Sequence, residues 1–194
     1  MTARMFGVDD LAHFDRKGSG VRISGETLHT YDLRVVAGDV GGVVAAAGGW
    51  LCDRVRAGWK VTVLVPPGHD VRALTILGVG VDAGESAAEE PGLDSAAAIA
   101  VDARVLSGDE QLREDVLRLV DAARAEITVW GGSALFGSDG RFGRVRHRLS
   151  AAARAFKARA LEATGQPTPD LAVEEFVSAA LWYPTDGADL VPHQ

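Results

Sequence analysis

Three short loops of this sequence place reactive residue types where a strand gives way to a turn: Gly38-Asp39-Val40-Gly41-Gly42, Pro66-Pro67-Gly68-His69-Asp70 and Trp130-Gly131-Gly132-Ser133. In a parallel α/β sheet the ligand crevice lies outside the carboxyl ends of the strands. Asp39, His69 and Ser133 would bring an acid, a base and a nucleophile to neighbouring strand ends, the layout of a small nucleophilic hydrolase. Asp70, beside His69, could orient its imidazole. The sequence lacks a G-x-S-x-G turn, so nothing presents Ser133 for attack.

The glycines of the same loops carry a second chemistry. Gly38, Gly41, Gly42, Gly68, Gly131 and Gly132, together with His69, could let backbone N–H groups approach a small anionic ligand or a nucleotide phosphate, where a Cβ would block contact. The spacing is not the G-x-G-x-x-G of dinucleotide sites, and Asp39 puts negative charge where an anion would sit. Asp39 also reads as a plain helix N-cap, with Gly41 and Gly42 permitting tight packing. No metal site and no cofactor are expected. The histidines at 13, 29, 69, 147 and 193 are scattered, and Cys52 stands alone in the middle of a helix, where it reads as packing.

Positive charge is concentrated between Arg141 and Arg159. Arg141, Arg144, Arg146, Arg148, Arg154, Lys157 and Arg159 lie there without an acidic residue, and the rest of the chain holds the other 13 basic residues against all 27 acidic ones. At 100° per residue Phe142, Val145, Leu149, Ala152, Ala153, Phe156 and Ala160 gather on one side of a helix from about Phe142 to Thr164, which predicts a basic face turned outwards. That face would meet nucleic-acid phosphates, a small anion, or an acidic surface of a protein partner or second copy, unless local carboxylates simply pair with it. The formal charge of −7 favours a protein partner or self-association over nucleic acid.

These residues need elements to position them. Leu33 to Val36 reads as a buried strand, and Asp39 caps a helix whose apolar positions Val40, Val43, Val44, Ala47, Leu51 and Val55 run to a terminator at Gly58. Lys60 to Val65 reads as a strand covered on both faces. Asp70 caps a short helix to Leu77, and Val79-Gly80-Val81 is a brief strand. Residues 82–94 are composed like a mobile loop. Ile99 to Val105 reads as a strand, and Ser107 with Glu110 forms a capping box before a helix carrying Leu112, Val116, Leu119, Val120 and Ala123. Glu126 to Trp130 is a strand, and Pro169 opens a last helix with Val173, Val177, Ala180 and Leu181.

Strand and helix in alternation predict a three-layer α/β fold, Rossmann-like, with a largely parallel sheet and helices on both faces. The expected division is an N-terminal arm over 1–30, one α/β domain over 31–164, and a C-terminal helix and tail over 165–194. The most apolar window, Leu33 to Leu51, carries Asp39 and several glycines, which argues against a spanning helix, and the setting expected is a reducing cytoplasm. Seventeen Arg against three Lys, with no Asn, fits a GC-rich bacterial genome.

Two blocks, Gly48-Gly49-Trp50-Leu51-Cys52-Asp53-Arg54-Val55 running into Gly58-Trp59-Lys60-Val61-Thr62-Val63-Leu64, and His147-Arg148-Leu149-Ser150-Ala151-Ala152-Ala153-Arg154-Ala155-Phe156-Lys157, resemble an uncharacterised family of actinobacterial α/β proteins. No activity or site residue comes with that resemblance. The reading as a whole is of a non-catalytic module that binds a ligand or partner, with a small hydrolase or nucleotide-binding domain as the alternative from the strand-end loops, and a nucleic-acid-associated protein as the alternative from the basic segment.

Overall fold

A computed structural model of the chain describes residues 20–23, 26–29, 31–82, 93–132, 136, 139–168, 172–179 and 190–192. The chain divides into two compact units, 1–30 and 31–194. In the first, β1 (Gly20–Ile23) and β2 (Glu26–His29) form an antiparallel hairpin.

The second unit holds an eight-stranded, mostly parallel sheet among the described residues. Five parallel strands come first in sequence: β3 (Asp32–Val36), β4 (Lys60–Leu64), β5 (Gly80–Asp82), β6 (Ala98–Asp102) and β7 (Glu126–Trp130). They lie in the order β5-β4-β3-β6-β7, so the direction of winding reverses between β3 and β6. That reversal is the topological switch point of a doubly wound sheet. Three antiparallel strands extend the β7 edge: β9 (Val173–Ala179), then β8 (Gly143–Arg148), then the short β10 (Val191–Pro192).

Helices cover both faces. α1 (Val40–Arg56), α2 (Arg72–Leu77) and α5 (Ala151–Ala163) pack together on one side. α3 (Ala103–Gly108) and α4 (Glu110–Asp121) lie on the other. The α1 stripe is the one its spacing predicts: Val40, Val43, Val44, Ala47 and Leu51 are buried, Asp39 caps the first turn, and the chain leaves after Arg56 through a left-handed Gly58.

The C-terminal third departs from the sequence expectation. The predicted helix from Phe142 to Thr164 is instead the strand β8, a two-residue break and the helix α5. Gly-Arg-Val-Arg-His-Arg alternates with period two, burying Val145 and His147 while Arg144, Arg146 and Arg148 face outwards. A helical projection averages that alternation away. Ser150 then caps α5, its Oγ accepting from the Ala153 amide at 3.0 Å. Phe156, placed on the apolar stripe by the projection, is 43% exposed, and Lys157, placed on the basic face, is buried. The helix expected after Pro169 is β9, where Val173-Glu-Glu-Phe-Val-Ser-Ala fills the slot between β7 and β8. Tertiary pairing decides this segment over local pattern. The cap of α4 is Asp109, which accepts from the Leu112 amide, while Ser107 lies inside α3 and bonds the Ala103 carbonyl. The expected strand from Ile99 ends at Asp102, and Ala103 to Val105 begin α3.

Three polar links tie α1 to the elements around it. Arg54 pairs with Glu126 at 2.9 Å inside the protein, its guanidinium 4.0 Å over the ring of Trp59. Asp53 accepts from Ser150 Oγ at 2.6 Å and lies 2.9 Å from His147 Nε2. Glu174 reaches the amides of Gly49 and Trp50. Cys52 is buried beside them, and burial pushes its thiol up, as expected of a packing residue. No described helix is long and apolar enough to cross a membrane.

Candidate functional site

At the switch point β3 hands over to the Gly38-Asp39 turn and β6 hands over directly to α3. Asp39 is extended and caps α1, with its carboxylate accepting from the Gly42 amide at 2.5 Å. Asp102, only 1% exposed, caps α3 by accepting from the Arg104 amide at 2.9 Å. Both carboxylates converge on one guanidinium. Arg104 Nη2 donates to Asp102 at 2.6 Å and to Asp39 at 2.9 Å, and its Nε also reaches Asp102.

This bridge sets the local electrostatics. The Gly42 amide holds Asp39 below the usual carboxylate range, helped by Arg104 and, least of all, by the charge of His69, against a smaller opposing effect of burial. Hydrogen bonds to Asp102 and then Asp39 raise Arg104 further above its already high value.

The glycines around the bridge make room for it. A Cβ on Gly42 would come within 2.5 Å of Arg104 Nη2, and one on Gly41 would collide with the Gln166 side-chain amide. The helix N-terminus that could have cradled a phosphate thus holds the protein's own Asp39, Arg104 and Gln166. The Gly38 position approaches Val105 and Asp102. Gly131 is left-handed, and a Cβ there would meet Asp102, while one on Gly132 would come within 2.7 Å of the Ala103 Cβ. The loops after β3, β6 and β7 therefore meet around Asp102, a residue the sequence reading did not single out. Its signal was a carboxylate ending an apolar run, Ala98-Ile-Ala-Val-Asp102, directly before a helix.

Beside the bridge a cleft of about 280 Å³ opens between the ends of β3, β4 and β5. Its walls include Val36, Ala37, Leu64, Val65, Pro66 and Val105, with Asp82 as the charged group. His69 is exposed on the turn after β4, where Gly68 is left-handed. Ser133 lies outside the described residues, as does most of the 82–94 stretch, so the Asp39–His69–Ser133 arrangement is not assembled among them. No group of three or more His, Cys, Asp or Glu side chains among the described residues is placed to hold a metal ion.

The basic residues separate into different settings. Arg141 pairs with Asp139 and Asp121, Arg159 with Glu162, and Lys157 with Glu174 in the core. Arg154 is exposed on α5. Arg144, Arg146 and Arg148 form an exposed row along β8.

No protein-family model matches the chain, and no curated protein does. Among solved structures it is similar to a deacetylase triple mutant involved in the teicoplanin biosynthetic pathway, at 12% identity and a TM-score of 0.51, over 84% of this chain and 98% of that one. A deacetylase–teicoplanin complex of the same pathway is similar at 12% identity and a TM-score of 0.49, over the same shares. The likeness shows the fold. Chemistry has to be read from the residues that this chain carries on it.

Proposed function

We propose that this chain is a small-molecule-binding α/β domain whose ligand lies in the cleft beside the switch point, and that the adjoining Asp39–Arg104–Asp102 bridge fixes the loops at its edge without acting as nucleophile or base. The observation that carries this reading is Arg104. One guanidinium engages both strand-end carboxylates and lies over the first turn of α1, so the groups a catalyst would leave poised are committed to each other. An apolar cleft with a few polar groups at its rim is the ordinary form of a ligand pocket. Arg104 Nη1 makes no hydrogen bond to the described residues.

A second reading is a small hydrolase working from the same cleft, supported by the fold's similarity to a deacetylase. Asp39, whose side chain is 40% exposed, would be its base. One experiment separates the two. Amide NMR of the full chain is followed during titration with a library of small metabolites, and N-acetylated and ester compounds are assayed for turnover. Perturbations centred on Gly38, Asp82 and Val105 without turnover support the binding module. Turnover abolished by Asp39→Asn establishes the hydrolase, and perturbations centred elsewhere sink both.

A further inference from the structure

Strand register sets the floor of the cleft beside the switch point. Val36, Leu64 and Asp82 lie side by side across β3, β4 and β5. Side chains alternate between the faces of a sheet, and the residues just before these, Val35, Val63 and Val81, pack in the core with α1 and α2. The floor residues therefore stand on the opposite face, the one on which α3 supplies Val105 to the cleft. The other described residues that line it are apolar or glycine, so Asp82 is its one ionisable group among them. One layer down the same face come Arg34, Thr62 and Gly80. Arg34 is buried there and does not line the cleft.

The charge at the edge has the sign of Asp82. In the adjoining bridge two carboxylates, Asp39 and Asp102, face one guanidinium, that of Arg104, and the three sum to a single negative charge. A carboxylate or phosphate entering the cleft would meet like charge, whereas a cation would be attracted to both groups. A carboxylate accepts several hydrogen bonds at once, so Asp82 keeps its contacts within the chain while meeting an ammonium. The apolar walls call for an apolar body on the same ligand. An apolar cavity of about 150 Å³ holds benzene, so a cleft of about 280 Å³ suits a ligand of roughly ten non-hydrogen atoms.

We propose that the cleft takes a small primary amine with an apolar body, its ammonium pairing with Asp82 and its body lying over Val36 and Leu64 against Val105. This rests on the binding reading above and adds the class of ligand to it.

The test is a titration of the ¹⁵N-labelled full chain with three compounds of one shape, phenethylamine, phenethyl alcohol and phenylacetate, at neutral pH and constant ionic strength. The readout is the Gly38 and Val105 amide resonances. The amine should move both at about tenfold lower concentration than the alcohol, the effect of one charge-assisted contact, and phenylacetate should act more weakly than either. Asp82→Asn should remove the amine's advantage and leave the response to the alcohol as in the parent. Glu114→Gln, which removes an exposed charge on α4, should leave the advantage intact. The order of the three head groups on the parent protein tests the proposal even where a variant does not fold. Equal responses to all three compounds overturn the amine preference and leave the cleft standing as a binding site. No response at Gly38 and Val105 to any of them also overturns the proposal, whereas the binding reading falls only if the metabolite library fails there too. An advantage that survives Asp82→Asn, or that Glu114→Gln reduces equally, overturns it as well, marking a general attraction of cations to a chain of net charge −7.

Discussion

Lys157 and Glu174 meet at 2.6 Å in the interior, and the pair is threaded into the middle of helix α1. Glu174 accepts from the amides of Gly49 and Trp50 at 2.9 and 2.7 Å, while Lys157 donates to the carbonyl of Ala45, the group that ordinarily receives the Gly49 amide. Gly49 is required for this, since a Cβ there would strike Leu149 and crowd Glu174. The double glycine of the sequence is the place where a helix accepts side chains from α5 and β9.

Removing one partner strands the other charge. Lys157→Met or Glu174→Gln should therefore each cost about 3–5 kcal/mol, read from urea unfolding midpoints. The double change Lys157→Met with Glu174→Leu should cost clearly less than the two together, because it leaves neither charge buried without its partner. Additive losses would show that the two residues act separately.

Asp53 carries a pH dependence of known sign. Burial opposes its charge, but the bonds from Ser150 and His147 prevail and hold it below the ordinary carboxylate range. A depressed folded-state value stabilises the protein fully above the unfolded value of about 3.9, and that contribution is lost as pH falls through the lower folded value. Asp53→Asn should cost about 1.5–3 kcal/mol at neutral pH, the range for a hydrogen bond to a charged group. The gap to the parent protein should close on acidification below about pH 4. A gap that persists at pH 2 would mean that the carboxylate's charge is not what stabilises the fold.

The front half of the chain was legible because its signals agree. Asp39, the valines of α1 and Gly58 say the same thing at the level of cap, stripe and stop, and β4 announces itself by β-branched residues. The back half was not, because alanine and arginine serve helix and strand alike. The alternation of Arg144, Val145, Arg146, His147 and Arg148 was the deciding signal, and it becomes a strand only by pairing with β9, far away in sequence. Asp39 was visible as a cap. Arg104, which gives the site its character, carries no signal in the sequence, because its role depends on the parallel register that brings Asp102 beside the β3 turn.

Gly132 tests how closely the loops after β6 and β7 approach. A Cβ at Gly132 would lie 2.7 Å from that of Ala103, neither of which can swing aside. Gly132→Ala should cost about 1–3 kcal/mol, the usual price of overpacking. The matching change Ala103→Gly should recover part of it, measured again by urea midpoints. No recovery would locate the strain elsewhere.

The first turn of α1 separates helix stability from the ion bridge. Alanine is favoured over glycine in a helix by up to about 1 kcal/mol. Among the described residues the obstacle at Gly41 is the far end of the Gln166 side chain, which can move, so Gly41→Ala should be neutral or stabilising by about that amount. At Gly42 the new Cβ would stand within 2.5 Å of Arg104 Nη2 and 3.0 Å of the Asp39 carboxylate, so the guanidinium must leave Asp39. An exposed pair of this kind contributes about 0–1 kcal/mol, so Gly42→Ala should change stability little while breaking the bridge. Titration of the Asp39 carboxyl by carbon NMR supplies the readout. Its value should rise in Gly42→Ala toward the ordinary range, yet remain below it, because the Gly42 amide, the larger cause of the depression, is still in place. The same value in Gly41→Ala should match the parent. Equal behaviour of the two variants would mean that Arg104 does not close over the helix N-terminus in solution, and the committed-charge basis of the binding reading would fall with it.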